Sequence, residues 1–97
     1  MQSLIVTFVA KVGREQPLET ELLGLVRNTA TEPGAIAYEL SRGAPGSRAY
    51  YLYERYTDAE ALKTHSSSAY FHAALPRVGA LLDQPPTLVA CDFITGL

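Results

Sequence analysis

The sequence contains no tryptophan and only one cysteine, Cys91. An intramolecular disulfide is therefore excluded, as is a zinc site built on the thiolates of one chain. Cys91 lies in the apolar run TLVACDFI and reads as a small buried hydrophobe. Histidine is also scarce. His65 and His72 are the only two, separated by a Ser-rich break and without a third ligand at useful spacing, so no metal site is evident. There is no basic run, and the net charge is −2; neither nucleic acid nor an anionic membrane surface is an expected partner. No apolar run approaches the roughly 20 residues of a membrane-spanning helix, and no signal-peptide pattern is present. A cytoplasmic protein is expected. The chain lacks a Gly-rich phosphate loop, a dinucleotide fingerprint and a G-x-S-x-G nucleophile motif, so no nucleotide cofactor is expected.

What is present is globular. Hydrophobic residues make up 47% of the 97 positions and charged residues 19%, which fits one domain spanning residues 1–97 with a modest core. SLIVTFVAKV (3 to 12) is apolar and β-branched and reads as a strand that Gly13 ends. A helix follows. Pro17 suits its first turn, Leu18, Leu22, Leu25 and Val26 recur at helical spacing, and Pro33-Gly34 stops it. AIAYELSRG alternates, with Ile36, Tyr38 and Leu40 on one side, and GAPGS is a turn cluster. Residues 35–42 and 48–56 thus form an expected hairpin.

The second strand of that hairpin ends in YYLYERY, where Tyr50, Leu52, Glu54 and Tyr56 share one face and Tyr51, Tyr53 and Arg55 the other. Thr57 with Glu60 matches a capping box for the next helix, which SSS (66 to 68) interrupts. Ser68 suits the cap of a further helical segment, in which Pro76 predicts a kink or break near Ala74. TLVACDFITG (87 to 96) is the last strand.

The order β-α-β-β-α-β, with the second helix in two pieces, predicts an α+β, ferredoxin-like antiparallel sheet with helices on one face. The strands are apolar on both sides. The first strand carries Leu4, Val6, Phe8 and Ala10 on one side and Ile5, Thr7 and Val9 on the other, and helices on one face leave the second face uncovered. A soluble monomer rarely exposes such a face. A homodimer packing sheet against sheet is expected to bury it, and two-fold dimers are the commonest closed assembly.

EPGAIAYEL, followed by YLYERYTDAEALKTHSSSAYF, resembles the antibiotic biosynthesis monooxygenase family, a set of dimeric α+β barrel proteins that includes small quinol monooxygenases. The resemblance covers nearly the whole chain and is strongest over residues 53 to 71. By position, Glu54 matches the family's strand-end Glu, His65 its first His, and Phe71 the aromatic that follows its second His. Tyr56 stands where the family usually has Trp. Tyr70 stands at the second His, and His72 lies two residues beyond it. Haem-degrading relatives use a distorting Trp that this chain does not have.

The resemblance implies oxygenation of a small phenolic or quinol-like aromatic compound without metal or flavin. Such chemistry requires an apolar pocket, a base for the phenolic proton and donors that hold the resulting anion. His65 is the candidate base, since imidazole titrates near pH 6.5 when unperturbed. Tyr56 and Tyr38 are candidate orienting donors, and Tyr70, Phe71 and His72 candidate substrate contacts. Glu54 is expected to face the helices, where a buried carboxylate needs a partner. Pairing with His65 would orient the ring and raise its basicity; pairing with an arginine or a backbone N–H would serve only the turn. His65 itself is equally at home as a packing residue. The same His and Glu would suit an isomerase acting on a small carbonyl compound, and the same pocket would suit a non-catalytic binder of small hydrophobic molecules.

Overall fold

A computed structural model describes all residues 1–97. The chain forms β1 (Gln2–Val9), α1 (Glu15–Thr29), β2 (Ala35–Arg42), β3 (Ala49–Tyr56), α2 (Ala59–Ser66), α3 (Ala69–Ala80) and β4 (Thr87–Asp92). All strand pairs are antiparallel, in the order β2-β3-β1-β4, so the two central strands are β1 and β3. This is the ferredoxin-like α+β arrangement that the element order predicts, with every helix on one side of the sheet.

Side-chain alternation decides what each sheet face carries. On β3, Tyr50, Leu52, Glu54 and Tyr56 are all buried beneath the helices. On β1, Leu4, Val6 and Phe8 do the same, and Leu18, Leu22 and Leu25 of α1 close over them. The opposite face leaves Ile5, Tyr51 and Val89 between 41% and 55% exposed, a contiguous apolar surface on neighbouring strands.

Local chemistry departs from the sequence expectations at several points. Strand β1 ends at Val9, and only an isolated bridge between Ala10 and Leu82 continues it; Val12 is exposed. Strand β4 ends at Asp92, because it pairs only with β1, whose first strand residue is Gln2. A bulge between Ala35 and Ala37 turns Ile36 out to solvent, away from Tyr38 and Leu40. Helix α2 is capped by Asp58, which accepts from the Ala61 N–H at 2.8 Å, one residue later than the expected capping box. Finally, α3 runs through Pro76 without the expected break. The carbonyl that Pro76 leaves without a donor belongs to His72, an exposed residue, so water can satisfy it.

Candidate active site

Four segments converge on the helix-covered face at one end of the sheet. Strand β3 contributes Glu54 and Tyr56, and the register of β2 sets Tyr38 directly across from Glu54. The loop between α1 and β2 contributes Glu32. Gly34 in this loop lies so close to α2 that a Cβ there would collide with the Cβ of Ala61, and the Thr57 N–H donates to the Gly34 carbonyl at 2.9 Å. Glycine is therefore required at this contact, which clamps the loop against the start of α2. His65 sits on the last turn of α2. There the Ser68 hydroxyl turns back to donate to the His65 carbonyl at 2.7 Å instead of capping α3.

His65 is 2% exposed and ringed by aromatic side chains. Ring centroids lie 4.9 Å away for Phe71, 5.3 Å for Tyr38, 5.5 Å for Tyr56 and 6.1 Å for Tyr70. Its Nδ1 is 3.2 Å from Oε2 of Glu32 and 3.1 Å from the Tyr70 hydroxyl oxygen. Tyr70 donates its own hydrogen to that same Glu32 oxygen, and the Thr29 hydroxyl, 3.0 Å from Tyr70, is left to donate to it. Nδ1 thus faces two acceptors and must carry the hydrogen. In the neutral ring this leaves the lone pair on Nε2, which is buried and has no protein partner. Glu32 Oε1 is likewise buried without a partner.

This arrangement corrects the expected Glu54–His65 pair. The carboxylate on His65 comes from Glu32, whereas Glu54 Oε1 accepts a 2.6 Å hydrogen bond from Tyr56. Tyr56 is completely buried and does not reach the pocket; its hydroxyl is committed to Glu54 and cannot also orient a ligand directly. His72 is exposed and outside the pocket, because the helical turn that brings Phe71 inward carries its neighbour outward. Tyr70 acts on His65 from behind rather than lining the pocket wall. His65, Glu54, Tyr38 and Phe71 do line it, together with Ser66.

The cavity has a volume of about 490 Å³. Its floor is apolar, formed by Leu4, Val6 and Phe8 of β1, and it opens at exposed Leu75, Pro86 and Leu88. The polar groups, His65, Glu54, Tyr38 and Ser66, form a small minority of its lining. Burial, reinforced by the charge of Glu54, holds the Tyr38 phenol well above its ordinary range. Burial and the hydrogen bond to Glu54 do the same for Tyr56, and burial with the Glu32 contact for Tyr70. All three phenols are hydrogen donors at neutral pH. Burial also pushes the Glu54 carboxyl up to about 7, against the Tyr56 hydrogen bond, which favours the ionised form; the charge of Glu32 raises it further. No three His, Cys, Asp or Glu side chains converge to hold a metal ion.

Residues 1–77 match the family model for antibiotic biosynthesis monooxygenases. The chain belongs to that family. No curated protein matches it in sequence. Among solved structures, it is similar to a candidate antibiotic biosynthesis monooxygenase of Caulobacter crescentus, with 26% identity, a TM-score of 0.90, and coverage of 97% of this chain and 90% of that one. A protein of Pseudomonas aeruginosa shares 28% identity at a TM-score of 0.88, covering 97% and 94% of the two chains. One of Mycobacterium tuberculosis shares 25% at 0.90, covering 98% and 96%. Family membership brings a monooxygenase-type activity into view.

Glu32 is the site residue that sequence reasoning missed. It stands in the Glu-Pro-Gly segment, where Pro33 and Gly34 read as a helix stop and drew attention away from the acid beside them. The elevated Glu54 carboxyl makes stability depend on pH. A proton bound more tightly in the folded state stabilises the fold fully below about pH 4.5, and this contribution is lost as pH rises through about 7. Chemical unfolding of wild type and Glu54→Gln at pH 5 and pH 8 should therefore show a smaller loss at high pH in the variant, by about 1–3 kcal/mol. Equal losses would mean that Glu54 ionises normally.

Proposed function

We propose that the protein is a cofactor-independent monooxygenase of a phenolic or quinol-like aromatic compound and works as a homodimer. The observation that carries this reading is the unpartnered Nε2 of His65, at the wall of an apolar cavity and backed at Nδ1 by Glu32. A phenol placed in the cavity donates its hydroxyl hydrogen to Nε2. The base takes the proton, and the positive charge gained by the ring faces the Glu32 carboxylate. The electron-rich anion passes one electron to dioxygen, and the radical and superoxide combine to form a carbon–oxygen bond. The peroxide takes the proton back from the imidazolium. Tyr38, kept protonated by its surroundings, stands ready to donate to the anion. The apolar floor supplies the shape that holds a planar ring.

The homodimer is supported by the uncovered sheet face carrying the exposed apolar side chains Ile5, Tyr51 and Val89, which a twin sheet would take out of water. A twin sheet packed on that face leaves both cavities, on the opposite side, open to their ligands. Sedimentation at low micromolar concentration should give a dimer; a stable, folded monomer would overturn this assembly.

Oxygen uptake with a panel of quinols, in the presence of a chelator, should exceed the rate of the protein-free control. His65→Ala should lower turnover by about 10²-fold or more, the usual scale for loss of a general base. An unchanged rate removes His65 from the chemistry. Turnover of a carbonyl substrate under anaerobic conditions, without any oxygen uptake, would favour an isomerase instead.

A further inference from the structure

Oxygenation leaves a second proton transfer unassigned. Once a hydroperoxide has formed on a substrate carbon that also bears hydrogen, the oxygen–oxygen bond must break. The carbon loses its hydrogen as a proton, the carbon–hydrogen electron pair becomes the second bond of a carbonyl, and the outer oxygen departs with the electrons of the oxygen–oxygen bond. It leaves as hydroxide unless a proton meets it. For a naphthoquinol, this sequence turns quinol and dioxygen into a hydroxyquinone and one water. His65, restored to its neutral form by the peroxide step, is available for the carbon-bound proton, but the departing oxygen needs a separate acid.

Glu54 is placed to be that acid. It is 5% exposed, lines the cavity at the same pole as His65 and makes no hydrogen bond to the imidazole. Its Oε1 accepts from the fully buried Tyr56 hydroxyl at 2.6 Å, whereas Oε2 has no protein partner. A hydroxyl that donates to Oε1 disfavours a hydrogen on that atom. A neutral Glu54 therefore carries its hydrogen on Oε2, the oxygen left for the cavity. We propose that Glu54 is the general acid that protonates the departing peroxide oxygen, with Tyr56 as the positioning residue that directs the acidic hydrogen into the cavity.

This role deepens the oxygenation reading and rests on it. It also gives function to a pair that does not serve His65. The surroundings keep the proton available: burial pushes the carboxyl up to about 7, so a substantial fraction is protonated at neutral pH. The titratable groups that act on it are Tyr38 from β2, Tyr56 from β3 and Glu32 from the α1–β2 loop, and His65 from α2 shares its cavity wall. None is a lysine or arginine, which would stabilise the carboxylate and remove the proton. After the step, the imidazolium of His65 holds the proton taken from carbon. Its return to Glu54 through water resets both groups.

The test is the fate of the oxygen, measured with 1,4-naphthoquinol as probe. Wild type should yield hydroxyquinone with little peroxide per oxygen consumed. In Glu54→Gln, hydroxyquinone formation should fall by about 10²-fold, and most of the oxygen consumed should appear as organic or free hydrogen peroxide. A peroxide fraction equal to that of wild type overturns the proposal. Should Glu54→Gln fail to fold by its thermal melt, Tyr56→Phe decides. It retains the acid but frees Oε1, so it should give a peroxide fraction between the two, and a wild-type fraction overturns the assignment. His65→Ala separates this proposal from its foundation. Loss of oxygen uptake there, together with a wild-type peroxide fraction in Glu54→Gln, removes only the Glu54 role; normal uptake in His65→Ala removes the oxygenation base, and with it the step that Glu54 would complete.

Discussion

A buried imidazole cannot leave both nitrogens to chance, and the site depends on how this chain settles the matter. Nδ1 of His65 is given to Glu32 and Tyr70, so Nε2 keeps a lone pair in an almost dry wall. A buried polar atom without a partner is destabilising by roughly 1–3 kcal/mol. The structure carries that penalty beside its cavity, where a ligand hydroxyl would relieve it. Thr29 and Tyr70 extend the same chain of donors back to α1, so the orientation of one ring is anchored in two helices and a loop.

The fold explains how so small a chain assembles such a site. The sheet has one covered and one open face, and Glu54, Tyr56 and Tyr38 all lie on the covered one. Helix α1 ends at Thr29, and its following loop is held against α2 through the close approach of Gly34 to Ala61. That contact fixes the distance between an acid before β2 and a histidine at the end of α2. The two carboxyl groups are then divided between tasks by their hydrogen-bond partners. Glu32 meets an imidazole and a phenol, and Glu54 meets only a phenol within apolar surroundings. Environment, not residue type, makes one the orienting partner of an imidazole and the other a holder of protons.

Much of this was legible in the sequence. The strand and helix periods gave the element order, the alternation of YYLYERY placed Glu54 helixward, the neighbouring strand put Tyr38 on the same side, and the family motif singled out His65 and Phe71. Errors arose where a contact is set by tertiary packing. The Glu54–His65 pairing was inferred from proximity along the chain, but a residue 33 positions upstream supplies the acid. Only the folding back of the α1–β2 loop reveals it. His72 looked like a stand-in for a second family histidine, yet one residue of helical rotation sends it to solvent while Phe71 stays inside. Ile36 was lost to a bulge, a local irregularity that an alternating pattern does not record. Pro76 was overrated as a breaker because its unpaired carbonyl lies at an exposed residue.

The central claim is that His65, a residue of the cavity wall, keeps an unprotonated Nε2 because Glu32 and Tyr70 hold the hydrogen on Nδ1. Long-range proton–nitrogen correlation NMR of the ligand-free protein, with His65 identified by comparison with a His65 variant, reads this directly. At a pH where the ring is neutral, the account predicts hydrogen on Nδ1 and a bare Nε2, with the pattern shifting in Glu32→Gln. Hydrogen found on Nε2 of the wild-type ring would contradict it.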